Sequence, residues 1–387
     1  MTSIFNDNTD SLTWYNRGKD LLELKKYEES IQCFNKSLEI DPKKSLTWIN
    51  RAKALSLSNQ LEEALKSFDK ALDIDHNDAR VWYLRGNIFS HLNKPEDAIL
   101  SFNSSIEINP NFLPVWRDRA VALSELKRYN EALESFNKAL EIDPTIKYLW
   151  YGKADALNDI EKNEEALWAI DKAIEIDPNY NYAWSLKGLI LCDLEKYEDA
   201  LIAFDKAIEI DPTDNYSWVR RAEALDGLGR TEEALQTLDK SLENDPEDDY
   251  AWGQKGFILN DLEKYDEAII AFNKAIEIDP TDNYIYVRKA DSLNGVGRTE
   301  EALQTLDKAI EIDPNYDYAW SMKGLILSDL EKYDEALIAY NKALEISSED
   351  KFLLCEKADI LNELGRSEEA LQVLDKALEI DPKDNYA

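Results

Sequence analysis

Residues 181–214 read NYAWSLKGLILCDLEKYEDALIAFDKAIEIDPTD, and nearly every other part of the chain is a variant of them. Trp184, Gly188 and Leu191 fall at i, i+4 and i+7, one face of a helix. Ala200, Leu201, Phe204, Ala207 and Ile208 fall at helical spacing again, and Glu195, Lys196 and Tyr197 lie between the two sets as a short turn. Asp211-Pro212 then stops the second helix, because proline disfavours helical geometry in the residue before it. Two helices joined by so short a turn lie antiparallel, as a hairpin.

The hairpin recurs on a ruler. Pro42, Pro110, Pro144, Pro178, Pro212, Pro246, Pro280, Pro314 and Pro382 share one 34-residue grid, with His76 and Ser348 at the two grid points that lack proline. From Ser11 to Asp384 the chain counts eleven repeats without insertion or deletion, starting at 11, 45, 79, 113, 147, 181, 215, 249, 283, 317 and 351. A length of 387 residues would ordinarily suggest two or three domains. The unbroken period instead predicts one all-α solenoid over 11–384. A polar leader, 1–10, precedes it, and 385–387 begin an incomplete further repeat.

Numbering each repeat from its first residue, position 8 is always Gly or Ala, and position 20 is Ser30 and then alanine in every later repeat. Position 4 is Trp14, Trp48, Trp82, Trp116, Trp150, Trp184, Trp218, Trp252, Tyr286, Trp320 and Leu354. Small residues let the helices approach and the large aromatic fills the space beside them. One hairpin cannot bury that indole alone, so stacked neighbours are expected to bury it in a continuous, one-dimensional core. With Trp, Gly, Ala, Phe, Ala and Pro at positions 4, 8, 20, 24, 27 and 32, the chain resembles the tetratricopeptide repeat (TPR) family over 11–384. It departs at position 11, which is Leu or Phe rather than Tyr, and at position 7, which is basic throughout from Arg17 to Lys357. The resemblance implies a right-handed superhelix whose first helices line a concave groove, and protein or peptide binding in that groove.

Charge narrows the partner. The chain carries 79 acidic against 45 basic residues, a formal net charge of −34. That argues against nucleic acid, whose binding depends on cationic contacts to phosphate, and against an anionic membrane surface. No apolar run is long enough to span a bilayer, and Met1–Asp10 has neither the basic start nor the apolar core of a signal peptide. Cys33, Cys192 and Cys355 are dispersed and odd in number, the pattern of reduced thiols in a cytoplasmic compartment.

From repeat 6 onward a second period of two repeats appears. Repeats 6, 8 and 10 share Asp-Leu-Glu-Lys-Tyr, while repeats 7, 9 and 11 place Gly229, Gly297 and Gly365 at the turn, where glycine accepts the left-handed conformation that closes a helix. Repeat 10 ends in Ile-Ser-Ser-Glu-Asp and repeat 11 has Leu354 in place of tryptophan, so this is expected to be the weakest joint of the second half. No polar capping helix follows, and an uncapped C-terminal end would be a route to a homo-oligomer.

The resemblance places positions 2, 5, 9, 12 and 13 on the concave face. Position 2 is a tyrosine ladder, Tyr148, Tyr182, Tyr216, Tyr250, Tyr284 and Tyr318, followed by Phe352. Large, stiff, amphipathic side chains suit binding hot spots; the alternative is that they pack against the preceding Asp-Pro turn. Position 9 alternates between acids (Asp155, Glu223, Asp291, Asp359) and apolar residues (Leu189, Phe257, Leu325), and position 12 adds Asn158, Asp226, Asn260, Asn294 and Asn362. Such a wall is suited to a partner segment with Lys or Arg between apolar anchors. The alternative is internal pairing, since Arg220 lies three residues before Glu223 and Arg288 three before Asp291. In the first half, Lys19, Lys53, Arg80 and Arg117 would form a basic mouth for a carboxylate, or stand as solvated cations.

Catalytic chemistry is missing. His76 and His91 have no nucleophile near them in sequence, and the cysteines lack zinc spacing. The glycines sit on repeat positions rather than in a phosphate loop, and Asp245–Asp249 lacks the ligand spacing of a calcium loop. No cofactor or metal is expected. The sequence therefore predicts a non-catalytic interaction scaffold. The alternatives are a self-assembling solenoid and the scaffold part of a larger enzyme.

Overall fold

The computed structural model describes residues 10–380. The expected start of a further repeat at 385–387 lies outside the described residues, as does the expected leader except for Asp10. Every repeat is a pair of helices, from Ser11–Glu23 and Tyr27–Ile40 in repeat 1 to Lys351–Glu363 and Ser367–Ile380 in repeat 11. Among the described residues there is no strand. Helix starts follow local chemistry. Pro95 opens its helix at the first position and Pro114 sits at the second of Leu113–Glu125, where no helical hydrogen bond is lost. Asp10, Asp248, Asp282 and Asp350 cap the helices that follow them by accepting backbone N–H bonds.

The turn inside each hairpin needs one left-handed residue. Gly229, Gly297 and Gly365 take it with φ of 73°, 78° and 70°. In the other repeats Lys25, Asn59, Asn93, Lys127, Glu161, Glu195, Glu263 and Glu331 take it instead. The turn closes alike in both kinds: the amide of Arg298 donates to Leu293 O and that of Lys264 to Leu259 O.

The contacts divide into two compact bodies, Met1–Glu195 and Lys196–Ala387. In each, a second helix packs both on its own first helix and on the first helix of the next repeat. Successive first helices also touch: those of repeats 3 to 6 in the N-terminal body and of repeats 7 to 11 in the C-terminal body. No such pairing recurs between successive second helices among the described residues. First helices therefore form the inner side of the stack in each body.

The core is keyed by position 24. Phe34, Phe68, Phe102, Phe272 and Tyr340 are among the largest fully buried side chains. A methyl group added at Gly18, Gly86, Gly256 or Gly324 would lie 2.7, 2.4, 2.4 and 2.9 Å from the ring of Phe34, Phe102, Phe272 and Tyr340 respectively. Where position 8 is Ala222 or Ala290, position 24 is the smaller Leu238 or Leu306. In these repeats the two positions sixteen residues apart trade volume, whereas Ala52 and Ala120 are accommodated beside Phe68 and Phe136 at position 24.

The position-4 indoles differ from expectation. They are half-buried rather than buried, because from Trp48 onward each keeps its ring N–H at the surface to donate to the carbonyl of the preceding repeat's turn. Trp48 reaches Pro42 O at 2.9 Å, Trp116 reaches Pro110 O at 2.8 Å, and Trp252 reaches Pro246 O at 3.0 Å. An amphipathic ring with one polar edge settles at such a boundary.

Candidate protein-interaction surface

The tyrosine ladder stands on the first helices, one residue past each helix start. Exposure runs from 37 % at Tyr318 to 61 % at Tyr182, so these rings are largely open. In the N-terminal body they form a cluster around Tyr180, the last residue of repeat 5. Its ring centroid lies 5.5, 5.7 and 6.0 Å from those of Tyr148, Tyr151 and Tyr182. Burial, with Tyr148 and Tyr182 beside it, pushes the Tyr180 phenol up to about 12. Lys147 lies over Tyr180 at 4.5 Å and pairs with Asp177 at 2.5 Å. Tyr148 and Tyr182 therefore rest one edge on the preceding or following turn and offer the rest to solvent.

The acids of position 9 divide into two kinds. Glu223 is already engaged: Arg220 donates to its Oε2 at 2.7 Å and Tyr250 O–H to its Oε1 at 2.7 Å. The Arg220 guanidinium lies over the rings of Tyr216 and Tyr250, at 5.0 and 5.3 Å. Burial opposes its charge, yet the Glu223 bond holds its pKa above the ordinary arginine value. Asp291 has a shorter arm and turns towards Asn260, which donates at 3.2 Å, while Arg288 stands 3.9 Å away. Asn260 is itself buried and accepts from Ser292 Oγ at 2.5 Å, so it bridges two first helices. Phe257 is half-buried, 5.4 Å from Tyr284 and beneath Arg288.

Asp155 and Asp359 are the other kind. Both are exposed, and among the described residues neither has a cation paired to it. Protein around Asp155 displaces water, and Asp159 adds a like charge; both hold its carboxyl above the ordinary range. Asp226 is shifted the same way by burial and by Asp261, against a hydrogen bond with Thr231. Asn158 and Asn294 are half-buried, and Asn158 Oδ1 is enclosed without a partner. Asn362 accepts from Ser367 Oγ at 3.2 Å. Leu189 and Leu325 are half-buried. Leu325 lines a cavity of about 280 Å³ with Tyr318, Met322, Phe352 and Leu353, and Asp317 and Asp350 stand in its wall.

Of the four cations of the first half, Lys19, Lys53 and Arg80 are exposed, and Arg117 is paired with Asp118 at 2.6 Å. Asn50 is spent on Tyr15 O–H at 3.2 Å and Leu46 O at 2.9 Å. Among the described residues, no group of three or more His, Cys, Asp and Glu could hold a metal, and no helix is long and apolar enough to cross a membrane. Cys33 is buried, Cys192 and Cys355 are half-buried, and none of the three is in a disulfide.

Sequence reasoning missed the work of position 7. Its cation bridges repeats: Arg85–Asp69 at 2.8 Å, Lys187–Asp171 at 2.7 Å, Arg221–Asp205 at 2.7 Å, Lys255–Asp239 at 2.6 Å and Lys323–Asp307 at 2.5 Å. The same cation lies over the position-4 indole, as Lys255 does over Trp252 at 5.3 Å. The signal was a sixteen-residue spacing between position 7 and position 25 of the preceding repeat.

The family model described as tetratricopeptide repeat matches residues 11–44, 79–112, 114–146, 182–214 and 250–282. Further tetratricopeptide models match 52–92, 33–66 with 203–236, and 148–180 with 284–316. The C-terminal tetratricopeptide repeats of the YpiA-like kind match 318–384. The chain belongs to the tetratricopeptide repeat family. Among solved structures, a tetratricopeptide repeat protein from Parabacteroides merdae shares its fold, with a TM-score of 0.54 at 17 % identity, over 65 % of this chain and 99 % of that one. The TPR chain is also similar to yeast Tom70, with a TM-score of 0.48 at 19 % identity, over 97 % and 93 % of the two chains. YrrB, described as a TPR protein with an unusual peptide-binding site, is 28 % identical over 48 % of this chain and 96 % of its own, with a TM-score of 0.39. Among curated proteins, none matches.

Proposed function

We propose that the chain is a non-catalytic scaffold whose first-helix wall holds a partner segment carrying Lys or Arg between apolar side chains. The observation that carries this reading is the pairing of an open tyrosine ladder with carboxylates held above their ordinary pKa on the same helices. A carboxylate held above its ordinary pKa and left without a cation gains most when a partner brings one. The exposed rings supply area at small entropic cost, and the apolar cavity beside Tyr318 has room for one aliphatic or aromatic side chain. Glu223 and Asp291 contribute less, since Arg220 and Arg288 already offset them.

Affinity capture at low and high salt tests the proposal, with native chain and an Asp155→Asn/Asp226→Asn variant as bait. The native bait recovers a partner at low salt, and both salt and the substitutions reduce recovery. Equal recovery by both baits at both salts contradicts the reading.

A further inference from the structure

We propose that repeats 9 and 11 each carry, on the side of the second helices, a cleft that binds a small organic phosphate. In repeats 8 and 10, the position-7 cation has two partners, a carboxylate from the preceding repeat and an indole beneath it. Lys255 has Asp239 at 2.6 Å and Trp252 at 5.3 Å, and Lys323 has Asp307 at 2.5 Å and Trp320 at 5.6 Å. Lys289 and Lys357 have lost both. Asn273 and Asn341 stand where the aspartate would be, and Tyr286 and Leu354 stand where the tryptophan would be. These are the two repeats of the whole array without a position-4 tryptophan.

An open cleft results in each case, of about 360 Å³ in repeat 9 and about 390 Å³ in repeat 11. Lys289, Arg298 and Lys308 line the first; Lys357, Arg366 and Lys376 line the second. Each contains a single carboxylate, and in each the arginine holds it: Arg298 binds Glu301 through two bonds of 2.8 and 2.6 Å, and Arg366 binds Glu369 through two of 2.7 and 2.6 Å. Among the described residues the four lysines form no ion pair. Crowding agrees with the geometry. Burial, then Lys308 and Arg298, lowers the pKa of Lys289; burial, then Lys376 and Arg366, lowers that of Lys357.

One half-buried ammonium group, one exposed ammonium group and a guanidinium edge in each cleft suit a dianion better than a single carboxylate. The chain's overall negative charge opposes this little, because salt screens charges beyond about 8 Å at physiological ionic strength. The clefts exceed what a phosphate ion alone would fill, and their walls also hold apolar side chains, Ile269, Ile276 and Leu293 in one and Leu337, Leu361 and Val373 in the other, interleaved with Asn273, Gln304 and Thr305 and with Asn341 and Gln372. Hence the ligand is a phosphate monoester with a small apolar body.

Calorimetric titration of the full chain with phenyl phosphate and with inorganic phosphate, at constant ionic strength, tests this. Phenyl phosphate is expected to saturate two sites per chain and to bind at least several-fold more tightly than phosphate. Asn273→Asp restores the carboxylate found in repeats 8 and 10 and is expected to weaken one site at least tenfold, and Asn341→Asp the other. Both recreate an ion pair the fold already accommodates, so folding is retained and is checked by circular dichroism. Lys289→Gln, which adds no carboxylate, is expected to weaken the repeat 9 site as well. Absence of saturable binding, unchanged stoichiometry in the double Asn→Asp variant, or equal affinity for the two probes would overturn the proposal.

Discussion

The indole N–H of Trp116 donates to the carbonyl oxygen of Pro110 at 2.8 Å, joining the first helix of repeat 4 to the turn that ends repeat 3. The bond recurs at Trp48, Trp82, Trp150, Trp184, Trp218, Trp252 and Trp320, and it ties each first helix to the turn before it. Trp116→Phe keeps most of the ring and removes only the donor. The loss expected is about 1 kcal/mol, the usual net value of one such bond, read as a lower urea midpoint with an unchanged slope.

Gly256 and Phe272 are complementary, with 2.4 Å separating a hypothetical methyl at Gly256 from the ring. Gly256→Ala is expected to destabilise by about 1–3 kcal/mol through overpacking. Phe272→Leu in the same chain recreates the Ala/Leu pairing of Ala290 and Leu306. The double variant is therefore expected to be more stable than Gly256→Ala alone. A double-mutant cycle measures the coupling, and purely additive effects would refute the volume exchange.

Glu161 holds a left-handed backbone at φ 58°, where Gly297 holds 78°. A side chain pays a steric penalty there that glycine does not. Glu161→Gly is expected to stabilise by about 0.5–1 kcal/mol, and Gly297→Ala to destabilise by a similar amount. Thermal or chemical denaturation of the pair decides both signs.

Asp155 binds its proton more readily in the folded chain than in the unfolded one, because burial and Asp159 disfavour its charge. Its contribution to stability is present at pH below the unfolded carboxylate value and is lost as pH rises through the higher folded value. Asp155→Asn should therefore be more stable than the native chain at neutral pH, with the difference vanishing below about pH 3, where the carboxyl is protonated in both the folded and the unfolded chain. A pH series of denaturation midpoints checks it. A residue that lowers stability while attracting a partner is the common compromise of a binding surface.

Much of the fold was legible because its signals are local and repeated. The Asp-Pro stops, the spacing of small residues and the turn glycines each constrain only a few neighbouring torsions, and eleven copies make them unmistakable. Depth of burial was less legible. Trp48 and Trp252 were expected inside, but an indole's polar edge and its flat face want different surroundings, and periodicity does not say which prevails. The groove was legible as a set of positions and not as a set of free charges. Glu223 and Asp291 occupy one register, yet the longer arm closes on Tyr250 and the shorter one falls back to Asn260. The bridge from Lys255 to Asp239 escaped notice because it joins different repeats.

The central claim is that the open tyrosines of the first helices recognise a partner. Once a bound segment has been captured and synthesised, its equilibrium affinity for Tyr148→Ala/Tyr182→Ala is the direct measurement, beside Ile202→Ala/Ile270→Ala on the second helices as a control of equal exposure. A loss of at least about tenfold for the tyrosine pair, with the isoleucine pair unchanged, is the expected result for hot-spot side chains. An unchanged affinity for the tyrosine pair, or a loss confined to the isoleucine pair, would contradict the account.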